Sequence, residues 1–172
     1  MIPIGELPQL HSDSVPKQTE STESLRVCIV ALADEMFAID VRQVLEVFEP
    51  KSITRVPGMP TALIGVTNLR GTIIPLTDLR GALGISTSVM LKYAVVIRHG
   101  TQQVGIMVQE VPETRTIQLD DLVAPSTRTA AERRPMIAAF FKTENKLSAI
   151  LELSRLLASI EGTVDDQRSY RP

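Results

Sequence analysis

From Leu25 onward the apolar positions fall into short blocks separated by turn residues, the spacing of strands and not of long helices. Leu25 to Leu32 is almost continuously apolar, which predicts a strand covered on both faces. Asp34-Glu35 is a turn, and Met36 to Ile39 is the returning strand. Asp40 is placed to cap a short helical turn, Val41-Arg42-Gln43-Val44-Leu45, which Pro50 must end. Ile53 to Val56 reads as a short strand before the Pro57-Gly58-Met59-Pro60 turn. Two strands follow, Gly65 to Leu69 and Thr72 to Leu76, around a tight turn at Arg70-Gly71, where glycine supplies positive φ. Asp78 to Leu83 is expected to be a short helix with Gly84 as its left-handed cap.

In the second half, Lys92 to Arg98 and Gln103 to Val108 form a hairpin across His99-Gly100-Thr101. Glu113 to Leu119 alternates polar and apolar positions, as a half-exposed strand does. Residues 125–135 read as an exposed loop. Met136 to Phe141 and Leu147 to Leu151 make a last hairpin over residues 143–146, and Ser154 is placed to cap a helix through Leu156, Leu157 and Ile160. Residues 1–24, with Pro3, Pro8 and Pro16 among Ser, Thr and Glu, keep no hydrophobic period and are expected to be a flexible tail. Residues 161–172 are expected to be a second tail, flanking a folded unit at 25–160.

The two halves resemble each other. Ala38-Ile39-Asp40-Val41 matches Gly105-Ile106-Met107-Val108 at an offset of 67 (105 − 38), which also pairs Ile29 with Val96 and Glu46 with Glu113. Ile74 to Leu79 matches Ser148 to Leu153 at an offset of 74 (148 − 74). The recurring order of elements predicts an all-β chain of two small antiparallel barrels with short helices, edges hidden by curling, and a groove between them. The turn Asn68-Leu69-Arg70-Gly71 corresponds to Lys142-Thr143-Glu144-Asn145, so Arg70 has no counterpart. An arginine needed only to close the turn would be expected in both halves.

Composition narrows the chemistry. Hydrophobic residues make up 44% of 172, enough for a core without disulfides or metal, while 3% aromatics leave Val, Ile, Leu and Ala to fill it. Eighteen basic and twenty acidic side chains give a net charge of −2, which opposes a general phosphate-backbone binder. Small barrels do bind single strands, but the lack of aromatic platforms argues against that use here. Cys28, the only cysteine, lies in an apolar run and reads as a small buried hydrophobe. No apolar stretch has the length of a membrane span, and residues 1–6 lack a signal-peptide pattern, so the cytoplasm is the expected compartment.

No catalytic or metal grouping emerges. His11 and His99 are far apart and read as solvated side chains. Asp120-Asp121 and Asp165-Asp166 read as solvated charge, and the scattered methionines as core filler. Gly58, Gly65 and Gly71 sit in β turns, not before a helix as a phosphate loop requires. No cofactor is expected, and an enzyme has no positive support. Glu46 and Arg70 both stand where a strand meets a turn. They are either a charged pair beside the groove or an inconsequential exposed pair worth about 1 kcal/mol at most.

Phe37-Ala38-Ile39-Asp40, Val44-Leu45-Glu46-Val47, Ile53 to Gly58, Gly65-Val66-Thr67-Asn68-Leu69-Arg70-Gly71, Ile74 to Arg80 and Val104-Gly105-Ile106, in this order, resemble the CheW-like family. The resemblance spans about Leu25 to Ile160. It implies two five-stranded barrels around a shared core and a non-enzymatic adaptor. Such an adaptor joins the cytoplasmic tips of methyl-accepting chemoreceptors to the regulatory domain of the histidine kinase CheA, at membrane-associated arrays. By motif match the receptor side falls at Val44, Glu46, Gly65, Arg70 and Thr114; the kinase side is not assigned to residues. Two departures stand out. Val108-Gln109-Glu110-Val111 replaces the family's frequent Val-Asp-Glu-Val, and a glycine often found near Ala139 is missing. Either is consistent with a specialised pathway controlling pili or development. No receiver sequence follows, so a CheV-type fusion is not expected.

Overall fold

The computed structural model describes residues 23–124, 134–143 and 146–158. Ten strands occur in the order β1 (Ser24–Leu32), β2 (Glu35–Asp40), β3 (Val44–Phe48), β4 (Leu63–Leu69), β5 (Thr72–Thr77), β6 (Tyr93–His99), β7 (Gln102–Val108), β8 (Glu113–Gln118), β9 (Ile137–Thr143) and β10 (Lys146–Leu151). Two single 3-10 turns, Val41–Gln43 and Leu119–Asp121, follow β2 and β8. Residues 153–158 are helical. No helix of the described residues is long and apolar enough to cross a membrane.

The strands form two five-stranded sheets, ordered β8-β1-β2-β10-β9 and β3-β6-β7-β5-β4. The all-β, two-unit architecture therefore holds, with two refinements. Each sheet contains one parallel pair, β2 with β10 and β5 with β7. And the sheets are not the two halves of the chain. The first sheet joins β1 and β2 to β8, β9 and β10, while the second is the contiguous run β3 to β7.

The repeat is exact in register. Leu76 lies opposite Gly105, and Ile150 lies opposite Ala38. These pairs are related by both offsets, 74 for the first partners and 67 for the second. A small residue stands at both positions, and a Cβ on Gly105 would stand 2.5 Å from Leu76 Cδ2, which would have to shift. Glu46 opposite Val96 and Glu113 opposite Ile29 are equivalent in the same way.

The continuous apolar strands serve two cores at once. On β1, Val27 and Ile29 face a small core within their own sheet, with Ala38, Ile117, Phe141 and Ile150. The alternate residues Cys28, Val30 and Leu32 join Val95, Ile97, Ile106 and Val108 of the other sheet in the largest apolar cluster. The period-2 alternation of a strand thus ties both sheets together. Each fully buried Leu, Ile or Phe in this cluster contributes about 1.5–3 kcal/mol of burial. Burial also pushes the Cys28 thiol up, so it stays protonated and apolar.

One isolated antiparallel bridge ties an edge strand of each sheet to the segment that follows the opposite edge strand, Val66 on β4 to Thr54 and Phe140 on β9 to Val123. The expected strand at Ile53 to Val56 is only this bridge, because Pro50 and Pro57 flank a segment that touches β4 at a single residue. Val44-Leu45, expected to be helical, instead opens β3, since Val44, Val47 and Phe48 pair along β6. The stretch after Asp78 is one turn, closed by Leu83 N–H donating to Leu79 O, and not a helix. Gly84 has the expected left-handed φ of 66°. The last helix starts at residue 153, so Ser154 is inside it and does not cap it. Ile160, the tip residues Glu144 and Asn145, residues 125–133, residues 1–22 and 159–172 of the expected tails, and the His99 side chain lie outside the described residues, while Ser24 already belongs to β1.

Gly65 makes the closing bridge possible. Its φ is +152°, and a Cβ there would stand 2.5 Å from the Thr54 carbonyl oxygen. Gly65→Ala is expected to cost about 2–4 kcal/mol by opening the bridge. Gly58→Ala, with φ +78° and no atom within 4 Å of the new Cβ, should cost only about 1 kcal/mol from backbone strain. Urea unfolding of the two variants checks the contrast.

Candidate functional site

The β4–β5 hairpin is closed by two residues, because Leu69 pairs with Thr72. Arg70 and Gly71 both have positive φ, 51° and 90°, the geometry of a type I′ turn whose twist matches the strands. The Asn68 Oδ1 accepts from Gly71 N–H at 2.8 Å and holds the turn. Arg70 therefore occupies a left-handed position that most residue types avoid. Its guanidinium reaches β3 and forms a two-point fork with Glu46, Nη2 to Oε1 at 2.7 Å and Nη1 to Oε2 at 3.1 Å. The Arg70 side chain is 79% exposed and that of Glu46 only 26%. The acid is held against the sheet while the base stands in water.

Of the five residues assigned to the receptor side by motif, Glu46 and Arg70 meet directly. Val44 and Glu46 lie on β3, with Val44 packed against the shared cluster, and Arg70 closes on Glu46. Gly65 lies in the same sheet but is buried under Thr54, so its visible role is backbone geometry. Thr114 is exposed on β8 of the other sheet, opposite Cys28. At offset 67 it is the counterpart of Val47.

Among the described residues, the sheet built from β8, β1, β2, β10 and β9 shows no such fork. Glu113, the counterpart of Glu46, pairs within its own strand with Arg115 at 3.4 Å. Exposed Leu45, Val47, Ile53 and Ile73 lie on β3, the bridging segment and β5 of the sheet that carries Arg70. A separate depression of about 650 Å³, lined by Arg26, Asp40, Val41, Arg42 and Leu119 among others, does not include Glu46 or Arg70. Among the described residues no group of three or more His, Cys, Asp and Glu could hold a metal ion.

A model of the CheW-like domain matches residues 26–161. The chain belongs to the CheW-like family. Its relatives include the chemotaxis protein CheW of Helicobacter pylori, 29% identical over 87% of this chain and 91% of that protein. The protein PilI of Pseudomonas aeruginosa is 28% identical over 76% of this chain and 74% of its own length. The crystal structure of the scaffolding protein TtCheW from Thermoanaerobacter tengcongensis superposes with a TM-score of 0.70 at 28% identity, covering 80% of this chain and 90% of that one. This CheW-like chain is an adaptor of chemotaxis signalling.

Sequence reading missed a second device, an Asp-x-Arg unit that closes on itself twice among the described residues. Asp40 accepts from the Arg42 backbone N–H and side chain, and Asp78 does the same with Arg80. Arg80 also donates to the carbonyls of Val89 at 2.8 Å and Thr87 at 3.4 Å, fastening the link between β5 and β6. The recurrence of the triplet after β2 and β5 was the available signal.

Burial is the largest single influence on Asp78 and raises its pKa. The hydrogen bonds from Arg80 and its charge together outweigh burial and leave the carboxyl below its usual range. A carboxyl depressed in the folded state stabilises above its unfolded pKa of about 4, and that stability is lost as pH falls through the folded value. Asp78→Asn should therefore lower stability by about 1 kcal/mol at neutral pH, with the gap to the parent closing as pH falls below the ordinary carboxylate range. Urea midpoints across this pH range check it.

Proposed function

We propose that this CheW-like chain couples the cytoplasmic tips of methyl-accepting chemoreceptors to the regulatory domain of the histidine kinase CheA, without catalysing a reaction. In this reading the folded unit spans residues 25–160 between two tails, and the protein works in the cytoplasm at membrane-associated arrays. Receptor contact involves Val44, Glu46, Arg70 and Thr114, with Gly65 shaping the backbone beneath. The observation that carries it is the exposed Arg70–Glu46 fork on a rigid turn, whose arginine is replaced by Glu144 at the corresponding position of the repeat. Arg70 uses Nη1 and Nη2 on Glu46 and keeps further N–H donors directed to solvent, where an acidic or carbonyl group of a partner is a natural acceptor. Apolar Leu45 and Val47 on the same strand supply area beside that charge.

The similarity to PilI favours a second reading, in which the fold and the fork are the same and the pathway served is a specialised one, such as the control of pili. Co-purification of the kinase from the native cell separates the two.

Arg70→His should leave the unfolding free energy within about 1 kcal/mol of the parent, because an exposed pair is worth little. Capture of the chain by a receptor tip together with the CheA regulatory domain should fall by about tenfold or more. The charge reversal Glu46→Arg with Arg70→Glu should keep the intramolecular pair yet not restore capture. Full capture by a folded Arg70→His variant would remove the fork from the docking surface.

A further inference from the structure

The turn between β1 and β2 has two residues, Ala33 and Asp34, because Leu32 pairs with Glu35. Ala33 has a φ of +58°, a left-handed conformation that L side chains resist. The repeat supplies an internal control. At offset 67 the pair Leu32–Glu35 becomes His99–Gln102, and Ala33 becomes Gly100, whose φ is +60°. The same backbone shape thus occurs with glycine in one sheet and with alanine in the other.

The alanine turn differs in having a partner. Gln109, the residue just after β7 in the link that leads to β8, meets Ala33 at two points. The Ala33 N–H donates to Gln109 Oε1 at 2.8 Å, and Gln109 Nε2 donates to the Ala33 carbonyl at 3.3 Å. One primary amide satisfies both backbone groups of the strained residue, as a neighbouring strand would. The contact is partly buried and joins residues 76 apart in sequence. The counterpart of Gln109 at offset 67 is Arg42, whose guanidinium is committed to Asp40. The Gly100 turn has no equivalent clamp from position 42.

We propose that Gln109 is a positioning residue, a latch that fixes the β1–β2 turn of one sheet against the end of β7 in the other and so sets the angle between the two sheets. The apolar cluster between them is non-directional and tolerates small sliding, whereas a two-point amide contact allows one register. The latch acts whichever partner is bound.

The test uses the full chain alone. Spin labels at Thr116→Cys on β8 and Gln103→Cys on β7 report the distance between the sheets, and amide exchange reports Ala33. Gln109→Leu should speed Ala33 exchange by roughly fivefold or more, the loss of one net hydrogen bond, and broaden the distance distribution. Adding Ala33→Gly should recover the unfolding midpoint without narrowing the distribution, which a merely stabilising role would not produce. Gln109→Glu keeps the reach and the acceptor and lacks the donor. It should give an intermediate width, and it carries the test if Gln109→Leu does not fold. A distribution and an Ala33 exchange rate unchanged from the parent, in whichever variant folds, would overturn the latch. So would a narrow distribution restored by Ala33→Gly alone.

Discussion

The structure depends on strands buried on both faces. In β1 and β2, and again in β6 and β7, successive residues point into different cores, one inside a sheet and one between the sheets. A hairpin of this kind is not soluble by itself, because neither face can be left to water. It forces a second layer on each side, and the doubled sheet is the smallest arrangement that supplies both. The cores are filled mainly by Val, Ile, Leu and Ala, with Phe37 and Phe141 as large aromatic side chains among them.

Much of this was legible. The run Val27 to Leu32 carries no polar residue, which fixed two-sided burial before any coordinates. The hairpin at Arg70-Gly71 followed from glycine at a turn between β-branched strands. The offsets of 67 and 74 proved to be true register relations and not a chance likeness of apolar strands. What the pattern could not reveal was which strands associate. An apolar strand has no local mark of its partner, so the joining of β1 and β2 to β8 through β10 is visible only in three dimensions. Val44-Leu45 was misread because Asp40 does begin a helical turn, which ends after three residues where pairing with β6 is stronger than local propensity.

At the candidate site the sequence singled out residues without their relations. Glu46 and Arg70 stood out by position, and the fold brings them to bonding distance. Gly65 stood out too, but its burial beneath Thr54 gives it a backbone role. Gln109 was visible only as a departure from a familiar pattern. Its meaning needed the left-handed φ of Ala33, which no composition or periodicity encodes. Symmetry in the fold and asymmetry in its polar contacts are thus separate layers: repetition builds two similar sheets, and a few side chains make their ends unlike.

The order of the strands also bears on how the chain is made. The sheet of β3 to β7 is one uninterrupted stretch of sequence nested inside the other sheet. On a ribosome it can assemble as soon as β7 emerges. The opening hairpin, synthesised first, must wait for β8, β9 and β10 before its own sheet exists, with its oily faces sheltered on one side only by the nested sheet. A nascent chain stalled after β7 would be a ready client for a chaperone, and the finished protein could not be cut between its sequence halves into two independent folding units.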